Sequence, residues 1–119
     1  MLRNEYEVEH VINTSEEDWK QKLGAIAAQA KPSSCLECIA GEMTGTMLSF
    51  LGMGGTCILY GLLSGEPASA IDPMSMIGRG TRLEGYNLSN DMERKSAEEK
   101  KQFMMRAIPL YTSDLSTTV

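Results

Sequence analysis

Residues 41–65 read GEMTGTMLSFLGMGGTCILYGLLSG, and the way this stretch divides decides the fold. Its second half, TCILYGLL from Thr56, runs apolar without a break from Cys57 to Tyr60 and is fenced by glycine on both sides. Such a short run is expected to be a strand buried on both faces, and therefore central in a parallel sheet. Its first half, TGTMLSFL from Thr44, reads as an apolar helix with Thr44 as its cap and Gly52, Gly54 and Gly55 as its stop. A helix that feeds a buried strand is one crossover of an α/β fold.

So dense a run of glycine also asks for a phosphate-binding reading. A dinucleotide fingerprint needs Gly-x-Gly-x-x-Gly between a strand and a helix, so that backbone can approach a pyrophosphate. Gly52 and Gly54 would need a third glycine where Cys57 stands, and Gly78 and Gly80 would need one where Leu83 stands. No glycine is followed by lysine, so the Gly-x-x-x-x-Gly-Lys loop is missing too. The glycines fit turns, with Gly41 and Gly61 set apart because each closes an expected strand at its carboxyl end, where open α/β sheets bind ligands.

The flanking segments continue the alternation. EHVINT (9–14) reads as a short strand through Val11 and Ile12. Ser15 then offers a helix cap, Glu16, Glu17 and Asp18 occupy a first turn, and Trp19, Leu23, Ile26, Ala27 and Ala30 make an apolar stripe that Pro32 ends. SCLECIAG (34–41) is a strand candidate, MSMIG (74–78) a short helix after Pro73, TRLEGYNLS (81–89) a last strand and SAEEKKQFMMRA (96–107) a helix with cap, early acids and apolar stripe. The expected class is α/β, with a parallel sheet of about four strands and flanking helices.

Bulk properties set the outer limits. A length of 119 residues suits one domain, and 42% hydrophobic with 23% charged residues is the composition of a chain that folds. The net charge is −5, and the basic grouping Lys95, Lys100, Lys101 and Arg106 is interleaved with Glu98 and Glu99, a solvated helix face; no nucleic-acid partner is expected. Three cysteines, no hydrophobic leader and no apolar run of about 18 residues lead to an expected intracellular location, cytoplasmic or mitochondrial, with no membrane span. Cys35 and Cys38 form a single Cys-x-x-Cys that Cys57 could approach, and buried structural thiols are expected there rather than a metal site. His10 has no neighbouring nucleophile, and no acid–base pair stands out, so no catalytic residue is assigned.

Taken together, EHVINTSEEDW, CIAGEMTGTMLSFLGMGGTCILYGLLSGEP and IDPMSMIGRGTRLEGYNLSN resemble the medium-chain dehydrogenases/reductases, the zinc-type alcohol dehydrogenase-like superfamily, and within it the quinone oxidoreductase and 2-enoyl thioester reductase branch. The resemblance implies that residues 1–119 are the second half of a Rossmann nucleotide-binding domain, without its glycine-rich first βαβ unit and without the catalytic domain. HVIN would be its third strand, and it is expected either to move in beside CLECI or to leave a gap that another chain fills. Cofactor-binding positions carried over are Ile39, Ala40 and Gly41 near a ribose, Tyr60, Gly61 and Leu62 near the nicotinamide, and Tyr86, Asn87 and Leu88 at its amide; Cys38 and Glu42 depart from the small residues usual there. The implied cofactor is NADPH in the complete protein, bound weakly or not at all by this chain. The implied function is the cofactor-domain part of a reductase that passes hydride to a quinone or an α,β-unsaturated carbonyl or enoyl thioester, this chain being inactive alone. The alternative is a non-enzymatic dimerisation or binding module derived from such a reductase. The family's edge pairing implies a homodimer through Thr81–Leu88.

Overall fold

Three four-residue strands carry the architecture: β1 (Ser34–Glu37), β2 (Thr56–Leu59) and β3 (Arg82–Gly85) pair in parallel in the order β1-β2-β3. The computed structural model describes residues 8–113. Helix α1 (Trp19–Ala30) precedes the sheet, α2 (Glu42–Phe50) links β1 to β2, and α3 (Pro73–Arg79) precedes β3. Two further helices, α4 (Leu88–Arg94) and α5 (Ala97–Ser113), follow. This is an α/β fold of the partial Rossmann type, and β2 is the central strand, as its apolar run implies.

The core lies between the sheet and α2. Cys35, Cys57 and Leu83 share one register row, and strand alternation turns them to the same face. Leu48 and Leu51 close over Cys57, with Met47 and Ile71 packed at the margin. Leu48 keeps 1% of its surface exposed, a burial that contributes about 2 kcal/mol by area. Gly45 lets α2 lie against the chain at Ser69 and Ala70: a Cβ there would fall 2.1 Å from the Ala70 carbonyl oxygen. Gly24 plays the same part for α1, facing the ring of Phe50.

Caps and turns fix the connections. Asp72 accepts from the N–H groups of Met74 and Ser75 at 3.1 Å each, Pro73 opens α3, and Gly80 ends it at φ +63°. Arg79 reaches back to the carbonyl of Leu51 at 3.2 Å and bonds Ser75, tying α3 to the end of α2.

The chain divides into two compact units, Met1–Gly85 and Tyr86–Val119. Within the second, Asn87 caps α4 by accepting the Asn90 N–H at 3.0 Å. Ser96 and Glu99 form a reciprocal capping box at the start of α5, Ser96 N–H to Glu99 at 2.7 Å and Glu99 N–H to Ser96 at 3.2 Å. No helix among the described residues is long and apolar enough to cross a membrane.

The structure corrects several sequence expectations. Among the described residues the sheet has three strands, and HVIN is not a strand: Val11 and Ile12 are half-buried but irregular, and β1 is the sheet edge on which HVIN was expected to add. A strand exists only where a ladder takes up its backbone groups. Ser15 does not cap α1, which starts at Trp19. Instead Ser15 N–H donates to Asn13 in a local turn, and Glu16 and Asp18 converge on Lys22 from outside the helix. Thr44 is not a cap either, because α2 starts at Glu42 and Thr44 lies buried inside it. β2 is not buried on both faces: Cys57 is buried beneath α2, while Ile58, on the opposite face, and Leu59, at the strand's end beyond the core, are half-exposed. The last strand ends at Gly85 rather than continuing to Leu88, since Asn87 turns the chain into α4, a helix that the sequence reading had not marked.

Candidate functional site

At the carboxyl end of β1 the chain makes a tight turn, Cys38–Gly41, before α2. Ala40 stands at φ +66° and Gly41 at φ +60°. A left-handed alanine costs about 1–2 kcal/mol, so something must hold it. That group is Glu37, a carboxylate only 3% exposed, which accepts from the N–H of Ile39, from the N–H of Ala40 at 3.0 and 3.1 Å to its two oxygens, and from the Thr44 hydroxyl at 2.7 Å. A buried carboxylate is tolerable only when its lone pairs are met in this way.

The segment after β2 runs alongside. Tyr60 N–H donates to the Glu37 carbonyl, Leu63 N–H to Cys38 and Ser64 N–H to Ile39, at 2.9, 3.0 and 2.8 Å. Farther on, Gly41 N–H donates to the Glu66 carbonyl and Ser69 N–H to the Gly41 carbonyl, at 3.3 and 3.0 Å. Between the two segments opens a cleft of about 670 Å³, with Ile39, Ala40 and Gly41 on one wall and Ser64, Glu66 and Pro67 on the other. Its charged neighbours are Glu42 and Glu66; among the described residues neither lysine nor arginine lines it.

The nine positions named from the sequence fall into three groups. Ile39, Ala40 and Gly41 line the cleft. Tyr60, Gly61 and Leu62 follow β2 without lining it, and Gly61 is glycine because a Cβ would stand 2.6 Å from the Cys38 carbonyl oxygen. Tyr60 and Leu62 point their side chains largely into solvent. The neighbouring Cys38 thiol raises the Tyr60 pKa. Tyr86, Asn87 and Leu88 belong to the second unit, where Tyr86 donates to Asp91 at 3.1 Å and Asn87 is a cap. Sequence reasoning passed over Glu37, whose signal was a lone carboxylate inside the apolar run of SCLECIAG, and over Ser64 and Glu66.

The cysteines divide likewise. Cys35 and Cys57 are register partners; burial first, then the neighbouring Cys35 thiol, pushes Cys57 up to about 12. Burial also raises Cys35. Both stay protonated at neutral pH, which suits packing and not nucleophilic attack.

Three comparisons with known proteins follow from this geometry. The family model described as zinc-binding dehydrogenase matches residues 2–106. A structure named an NADPH:quinone reductase from Mesorhizobium loti superposes with TM-score 0.78 at 21% identity, over 92% of this chain and 32% of that one. The mitochondrial 2-enoyl thioester reductase heterodimer from Candida tropicalis gives TM-score 0.71 at 17% identity, over 87% and 29%. A mutant of one subunit of that reductase, in complex with NADP and crotonyl-CoA, gives 0.68 at 17%, again over 87% and 29%. The chain thus spans under a third of the length of these structures, and the likeness is one of fold. No curated protein matches.

The family's description names zinc, and the residues present do not fit one: among those described, no three His, Cys, Asp or Glu side chains gather to hold a metal ion. What the match over residues 2–106 does establish is descent, and the chain belongs to the zinc-binding dehydrogenase family.

Proposed function

We propose that this chain is the cofactor-domain part of an NADPH-dependent oxidoreductase that delivers hydride to a quinone or to an α,β-unsaturated carbonyl or enoyl thioester. The observation that carries the reading is the cleft at the carboxyl end of β1, bounded by Ile39–Gly41, in a chain of the dehydrogenase family. The similar structures' names, which include NADPH:quinone reductase and 2-enoyl thioester reductase, support the substrate class.

The cleft fits the sugar end of a nucleotide better than its phosphates. Gly41, at positive φ and with Ser64 Oγ 3.3 Å from where a Cβ would be, lets the two walls of the cleft approach closely. The N–H groups of Ile39 and Ala40 are spent on Glu37, and Gly41 N–H on Glu66, so the turn offers no row of free donors to an anion. Glu42 and Glu66 would repel phosphate and accept from hydroxyl or carboxamide groups. The cofactor, when bound, supplies the hydride; Ile39, Ala40 and Gly41 orient its ribose, and Ser64 and Glu66 close the opposite wall.

Titration of the 119-residue chain with NADPH, followed by backbone amide NMR, tests this. The expected response is confined to residues 39–43 and 64–69 and is weak, with Kd near or above about 1 mM, or about 4 kcal/mol of binding. Amide shifts scattered elsewhere, or none at saturating NADPH, would sink the reading.

A second reading, a dimerisation module, is favoured by one observation: among the described residues β3 is a sheet edge. An open edge of this kind is a template for another strand, and two copies joined at Arg82–Gly85 would make one continuous sheet. Sedimentation equilibrium decides it: a concentration-independent monomer removes the dimer.

A further inference from the structure

We infer that Glu37 is the positioning residue of the cleft: its buried carboxylate holds the Cys38–Gly41 turn in ligand-ready shape before any ligand arrives. This deepens the cofactor reading and rests on it for the identity of the ligand, though not for the behaviour of the turn.

The argument is one of donors and acceptors. An ionised carboxylate accepts only. Glu37 meets three donors, the N–H groups of Ile39 and Ala40 and the hydroxyl of Thr44, and none of the ion pairs among the described residues includes it. Its oxygens are therefore held by the turn, and the turn by its oxygens. Thr44, one turn into α2, fixes the carboxylate's other side, so the same contact sets where α2 begins relative to β1. Ala40 needs such a clamp because its side chain disfavours φ +66°, and Gly41 can pass to φ +60° and ψ −145° only because it is glycine. Loss of the clamp would let Ala40 relax, and Ile39–Gly41 would no longer form one wall of the cleft. A glutamine is a weaker substitute: it has nearly the same shape, but its neutral oxygen accepts from Ile39 and Ala40 less strongly, and its NH2 must turn the Thr44 hydroxyl from donor to acceptor.

The test compares wild type with Glu37→Gln, Thr44→Val and Thr44→Ser in the full chain, by amide hydrogen exchange and by NADPH titration. In wild type the Ile39 and Ala40 amides are expected to be protected. In Glu37→Gln they should exchange about tenfold faster, the factor for replacing a charge-assisted hydrogen bond by a neutral one. The Thr56 and Arg82 amides, bonded to Ser33 and Gly55 at the far ends of the strands, should stay as they were. Thr44→Val should show the same selective loss in weaker form, and Thr44→Ser, which keeps the hydroxyl, should restore both protection and NADPH response. Equal exchange at Ile39 and Ala40 in wild type and Glu37→Gln would overturn the inference, as would acceleration spread evenly over Thr56 and Arg82. Should Glu37→Gln fail to fold, the Val and Ser variants at 44 decide on the same criteria. Selective loss of protection upholds the role of Glu37 even if wild type ignores NADPH, an outcome that would remove the cofactor reading alone.

Discussion

On one face of the sheet Cys35, Cys57 and Leu83 lie in a row beneath α2; on the other, Leu36, Ile58 and Glu84 make the opposite row. Cys57 is 0% exposed, whereas its diagonal neighbour Leu36 keeps 74% of its surface in solvent. Leucine is the more apolar of the two, so side-chain hydrophobicity did not decide which was buried. Cover did: Leu48 and Leu51 of the α2 segment reach the Cys57 row.

The sharpest way to break the contrast is to push the cover off. Gly45→Val places a branched side chain where a single Cβ already comes within 2.1 Å of the Ala70 carbonyl oxygen, and it should cost more than about 3 kcal/mol in urea unfolding. Next comes emptying the covered face: Leu48→Ala should cost about 3 kcal/mol, a cavity cost read from the same denaturation curves.

Alkaline titration separates the faces without mutation. Burial raises the folded-state pKa of Cys57 from the ordinary 9.0 to about 12, so the native state keeps its proton where the unfolded chain has lost it. Stability from this group is fully present below pH 9 and is lost as pH rises from about 9 towards about 12. Melting temperature should fall over that window, and Cys57→Ala should flatten the fall. On the open face, Leu36→Ser should change stability by less than about 0.5 kcal/mol; a loss as large as that of Leu48→Ala would show that this face is covered in solution.

How far these differences could be read from the sequence depends on the range of the interaction. The centrality of β2 was legible because Cys57–Tyr60 is a continuous apolar run, and α3 because Pro73 marks its first turn. The capping box of α5 was visible in Ser96 and the acids after it. Thr44 misled because threonine ahead of an apolar run is the ordinary signature of a cap; its actual partner, Glu37, lies across a turn whose shape no periodicity reports. Val11 and Ile12 have strand composition, but composition supplies no ladder. In the site, Gly41 was set apart by the rule that parallel sheets bind at their carboxyl ends and Ile39 and Ala40 were named by the family resemblance alone, while the clamp beneath them depends on two positive-φ residues that no sequence pattern reports.

The register of the sheet has a consequence in time as well as in space. Every pairing in it is parallel, Cys35 with Cys57 and Cys57 with Leu83, so no two adjacent strands are joined by a hairpin. Each rung must wait until an intervening helix has folded the chain back on itself, and contacts of such long sequence separation make for slow folding. A helix such as α2 is then less a layer over a finished sheet than the scaffold on which the sheet is first assembled.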